Sequence, residues 1–130
     1  MANGKRLLLV DDDQALREML AGQLARHGEF VIETTDSAKH ALQCVQKNYY
    51  DLIILDIGLE DMDGRELCRL MRRGGVKAPI LMLTGADGDA ATILGLNSGA
   101  NDYVTKPFRL GVLLARIRAH IRQHERSDDA

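Results

Sequence analysis

Four places in this 130-residue chain put a charged or hydroxylic side chain directly behind an apolar run. Leu7-Leu8-Leu9-Val10 leads into Asp11, Asp12 and Asp13, and Leu52-Ile53-Ile54-Leu55 leads into Asp56. Ile80-Leu81-Met82-Leu83 leads into Thr84, and Tyr103-Val104-Thr105 leads into Lys106 and Pro107. Carboxylates gathered in one place repel and raise one another's pKa unless a cation holds them ionised. Hard oxygen ligands in that number suit magnesium, which keeps several of its waters and needs few protein groups, and manganese takes the same ligands. A carboxylate beside a metal and a lysine can attack a phosphoryl group in line. The cations offset charge on the equatorial oxygens, and the carboxylate becomes an acyl phosphate. Thr84 could donate its hydroxyl to a phosphoryl oxygen, and Lys106 offers the point charge that phosphate binding uses. The plainer role for a strand-end acid is a helix cap. It fits Asp13, next to Gln14 and the first helical pattern, but not Asp12 or Asp56: a carboxylate closing an apolar run needs a partner. Thr84 or Lys106 alone would be an ordinary turn or surface residue, so the joint placement carries the reading.

These residues depend on the elements before them. Apolar runs at 5–10, 30–35, 51–55, 78–83 and 102–105 read as buried strands. Between them apolar residues recur at helical spacing: Leu16, Met19, Leu20 and Leu24; Ala38, Ala41, Leu42 and Val45; Leu67, Leu70 and Met71. The last helical stretch carries Leu110, Leu113, Leu114, Ile117 and Ile121 on one stripe, with Arg116, Arg118 and Arg122 off it. Ser37 is positioned to cap the second helix. Strands apolar on both faces and joined by helices predict an α/β fold, a five-stranded parallel (βα)5 sheet sandwiched between helices. In such sheets ligands sit beyond the carboxyl ends of the strands, where the four polar positions fall. Residues 1–123 read as one domain, and 124–130, polar and without apolar period, as a linker or frayed end.

Composition narrows the function. A formal charge of −2 gives no reason to expect direct nucleic-acid binding. Cys44 and Cys68 lie inside apolar-periodic segments, which suits core thiols in a reducing cytoplasm better than a disulfide or zinc framework. No run is long enough to span a membrane, and no signal peptide is legible at the N-terminus.

From about Arg6 to Gln123 the chain resembles the receiver domains of two-component response regulators. Asp11-Asp12-Asp13 matches the family's acidic pocket, and Asp51-Leu-Ile-Ile-Leu-Asp56 with Asp63-Gly64 its phosphoacceptor strand and turn. Leu83-Thr84-Gly85-Ala86 matches its hydroxyl segment, and the stretch from Gly99 through Lys106-Pro107-Phe108 its fifth strand and loop. The resemblance implies a flavodoxin-like three-layer sandwich with strand order 2-1-3-4-5. It implies Asp56 as phosphoacceptor, Asp12 as a direct Mg2+ ligand, Asp11 as one acting chiefly through water, and Gly58 as a carbonyl ligand. It also implies Thr84 and Tyr103 as a switch pair, Lys106 as the phosphate's partner, and a cis bond before Pro107. The donor would be a histidine kinase. The chain would be a signalling domain whose only chemistry is self-catalysed phosphoryl transfer and dephosphorylation.

Glu60 stands where many relatives have proline, and Gly58 and Ala86 are small, which predicts a mobile loop after Asp56 and a phosphoryl group open to water. The last helix and Asn101-Asp102-Tyr103 look most like OmpR/PhoB-type winged-helix transcription factors. That implies a homodimer through the fourth helix, fifth strand and fifth helix, and a DNA-binding domain beyond Ala130. Asp102 and Arg116 suit its interface salt bridges, whereas Thr92 and Val112 are uncharged where relatives carry charge. The alternatives are a stand-alone receiver without DNA-binding output and a haloacid dehalogenase-type phosphatase with Asp11 as nucleophile. The latter lacks an acidic pair between Lys106 and His124. A dinucleotide-binding module fails because three acids, not glycines, follow the first strand.

Overall fold

The computed structural model describes residues 4–85 and 97–129. In chain order these form β1 (Lys5–Val10), α1 (Gln14–Ala25), β2 (Phe30–Thr35), α2 (Ala38–Lys47), β3 (Leu52–Asp56), α3 (Gly64–Arg73), β4 (Ile80–Thr84), β5 (Asp102–Thr105) and a C-terminal helix (Leu110–Asp129). The strands make one parallel sheet in the order β2-β1-β3-β4-β5. Chain direction across the sheet reverses between β1 and β3, which opens a crevice at their carboxyl ends. β1 lies between β2 and β3, pairing Val10 with Thr35 of β2 and with Leu55 of β3. Asp56 pairs with Leu83, and Thr84 with Thr105, so both of these polar residues close their strands from inside the ladder. The apolar runs place each of these strands one or two residues too early, because backbone pairing continues under a polar side chain.

Alternate strand residues feed two cores, one on each face of the sheet. Leu8, Val10, Ile53, Leu55, Ile80 and Met82 pack under α2 and α3. Leu7, Leu9, Leu52, Ile54, Leu81 and Leu83 pack with α1 and the C-terminal helix. Each such side chain contributes about 1.5–3 kcal/mol by leaving water. The stripe of Leu113, Leu114, Ile117 and Ile121 is buried. Met19 departs from the helical pattern and is 45% exposed: Leu20 and Leu24 alone face the core from α1. Both cysteines are buried and free. Asp13 and Ser37 cap α1 and α2, accepting from the N–H groups of Leu16 and His40 at 3.1 Å each. The expectation of a linker or frayed end from residue 124 is corrected: the helix runs to Asp129. Gln123, Glu125 and Arg126 are good helix formers with no Gly or Pro among them, and Glu125 is ion-paired to Lys5 of β1. Among the described residues no helix is long and apolar enough to cross a membrane.

Candidate functional site

The carboxyl ends of β1, β3, β4 and β5 converge on one pocket. Asp11 follows β1 directly and is 1% exposed; Asp56 closes β3 at 8%. Asp12 is half-buried beside them, and one carboxylate oxygen from each of the three lies within 4.8 Å of the others. Lys106, reached through the loop after β5, puts its ammonium 3.1 Å from Asp11 Oδ2 and 3.3 Å from Asp56 Oδ1. The backbone N–H of Lys106 donates to the carbonyl of Thr84 at 2.6 Å, which ties the two strand ends together. Thr84 itself is buried, Tyr103 is half-buried one strand away, and the Lys106–Pro107 bond is cis.

The electrostatics follow from three neighbouring acids and one ammonium, which contacts two of them. Burial pushes the Asp56 carboxyl above the ordinary aspartate value, the charge of Asp11 pushes it further, and Lys106 opposes both. Burial alone would depress the Lys106 ammonium, but its hydrogen bonds and charge contacts with Asp11 and Asp56 outweigh that and raise it. Asp11 is further held by the backbone N–H of Asp13, which donates to its Oδ1 at 2.9 Å. One lysine therefore leaves a surplus of negative charge, which a divalent cation would neutralise.

The loop after Asp56 is shaped by glycine. A Cβ on Gly64 would stand 2.3 Å from the carbonyl oxygen of Asp56 and 2.7 Å from the Cα of Ile57, so only glycine lets α3 start there. The N–H of Gly64 donates to the carbonyl of Ile57 at 2.8 Å, and Gly58 and Asp63 form an antiparallel bridge. A Cβ on Gly58 would lie 3.6 Å from Asp56 Oδ2, which puts this residue at the carboxylate. The loop expected to be mobile is thus closed at its base by this bridge and hydrogen bond.

Asp11, Asp12, Asp56, Gly58, Thr84 and Lys106 thus gather at one end of the sheet. Two neighbours went unread in the sequence. Arg17 donates to the carbonyl of Asp11 at 2.8 Å, and its place one turn beyond the Asp13 cap was the available signal. Asp61 accepts from Ala38 and Lys39 of α2, a pairing no local pattern announces. Asp102 and Arg116, expected across an interface, pair within the chain at 2.7 Å, with His120 at 2.9 Å on the other Asp102 oxygen. Ala86, Thr92 and the expected fourth helix lie outside the described residues.

With this fold and pocket the chain belongs to the response regulator receiver domain family, whose model matches residues 7–118. It is a signalling domain of two-component systems. It is 41% identical over 96% of its length to Response regulator MprA of Mycobacterium avium, and 42% identical over 96% to that of Mycobacterium leprae. It spans only 54% of each of those proteins. Among solved structures it resembles the BeF3-activated N-terminal receiver domain of Klebsiella pneumoniae RstA, at TM-score 0.85 and 36% identity, covering 91% of this chain and 99% of that one. A two-component response regulator from Clostridium difficile aligns at TM-score 0.86 and 34% identity, covering 91% and 96%.

Proposed function

We propose that this chain takes a phosphoryl group from a histidine kinase onto Asp56 and that the resulting change of surface controls an output domain. The carrying observation is the trio of Asp11, Asp12 and Asp56, two of them buried, with a single ammonium between those two. The donor set fits Mg2+ or Mn2+: Asp12 and Asp56 would hold it directly, with Asp11 acting chiefly through water and Gly58 offering its carbonyl. Bound there, the metal supplies charge neutralisation for the equatorial phosphoryl oxygens. Asp56 is the nucleophile. One carboxylate oxygen bonds to phosphorus as the bond from phosphorus to the donor breaks, leaving an aspartyl phosphate. Lys106 then exchanges its contact with Asp56 for one with the phosphate. Thr84 turns its hydroxyl to the phosphoryl group and Tyr103 moves in behind it, which favours the active arrangement. Attack of water on phosphorus breaks the bond to the carboxylate oxygen, releases inorganic phosphate and restores the Asp56 carboxylate.

The MprA relatives are nearly twice this length, which supports a DNA-binding output domain in the whole protein and so a role in transcription. Pairing through the fourth helix, β5 and the C-terminal helix would require Asp102 and Arg116 to exchange their internal contact for one with a second copy.

Treatment with acetyl phosphate and Mg2+, followed by intact mass and peptide mapping, tests the assignment. One phosphoryl group is expected on Asp56, none without the metal, and none in Asp56→Asn. Label on Asp11 would support the phosphatase reading instead.

A further inference from the structure

The loop of residues 57–63 is held at three points. Leu59 is buried in the core beneath α2 and α3. The Gly58–Asp63 bridge and the Gly64 N–H close its base. Its exposed tip, Asp61, crosses to another element: Oδ1 accepts from the N–H of Ala38 and Oδ2 from that of Lys39, both at 3.0 Å. These are first-turn donors of α2, which have no partner within the helix. Ser37 already caps that helix locally through the N–H of His40. A helix start usually relies on such a local cap. The second cap, delivered from the loop that carries Gly58, ties that loop's position to α2 and so to the sheet.

We infer that Asp61 is a positioning residue for the metal pocket: its two-oxygen clasp on the start of α2 holds the Gly58 segment against Asp56. The inference rests on the phosphoacceptor reading above. Partners that orient metal ligands without touching the metal typically change metal affinity by 10–100-fold when removed.

Asp61→Ala and Ser37→Ala separate this role from helix capping, since each removes a cap from the same helix. Both are expected to lower the thermal midpoint measured without metal by similar amounts. Only Asp61→Ala is expected to weaken Mg2+ binding measured by calorimetry, by roughly tenfold, and to raise the Mg2+ concentration for half-maximal labelling by acetyl phosphate in step. Asp61→Asn, which keeps one acceptor oxygen, is expected to fall between and carries the test if the alanine variant does not fold. Unchanged Mg2+ affinity in both Asp61 variants overturns the inference, as does an equal loss in Ser37→Ala. Wild-type protein that binds no Mg2+ overturns the pocket reading and the inference together; wild type that binds it, with unmoved Asp61 variants, overturns the inference alone.

Discussion

The two ends of the sheet each hold a partly buried cation, and they use it in opposite ways. At the amino ends of β4 and β5, Arg72 of α3 donates to the carbonyls of Val76, Ala78 and Gly99 and to the side-chain oxygen of Asn101, at 2.8–3.0 Å. Every acceptor is neutral, and burial pulls the guanidinium below its ordinary pKa. At the carboxyl ends, Lys106 meets carboxylates that outnumber it. The first end is saturated by its own chain and serves to fasten turns. The second is short of positive charge, and that deficit suits it to a cation.

Removing the two cations exposes the difference most strongly. Arg72→Met takes a donor from three carbonyls and leaves Asn101 Oδ1 with the N–H of Ile80, and is expected to cost about 2–4 kcal/mol by chemical denaturation, with or without Mg2+. Lys106→Met, whose side chain is 26% exposed, is expected to cost about 1–3 kcal/mol without metal. Mg2+ is expected to restore much of that loss. A Lys106 variant indifferent to the metal would erase the contrast.

A smaller effect of opposite sign concerns Asp56. Its carboxyl is raised in the fold, so between its ordinary and its raised pKa the folded chain holds a proton that the unfolded chain lacks. Above both values the metal-free fold carries a penalty, and that penalty is relieved as pH falls through the raised one. Asp56→Asn is therefore expected to melt a few degrees above wild type at pH 7 without divalent ions. Its advantage is expected to vanish near pH 4, as followed by thermal melts across pH.

The smallest effect belongs to the amino end's surface. Glu125→Ala removes the exposed pair with Lys5 and is expected to cost no more than about 1 kcal/mol. Fraying of the helix beyond Gln123 in that variant, read by amide hydrogen exchange, is the measure.

Much of the site was legible because strand ends in a parallel sheet need no distant information. An apolar run that stops at Asp11, Asp56, Thr84 or Lys106 already states which end of which strand the side chain occupies. The extent of the C-terminal helix was not legible, since Glu125 finds Lys5 only after β1 and the helix are packed together. The ties that hold the loop after Asp56 were not legible for the same reason. A missing proline is local, whereas the Gly58–Asp63 bridge and the Asp61 clasp are made across the fold.

Sequence alone determined the alternation of strand and helix, the two-sided burial of the sheet and the chemical types gathered at its carboxyl ends. These follow from side-chain periodicity and from the reluctance of charge to enter an apolar core. The tertiary structure decided how close the carboxylates stand, which two of them Lys106 bridges, and that Asp102 turns inward to Arg116 and His120. Distances between residues far apart in the chain are set by strand register and helix packing, and no local pattern encodes them.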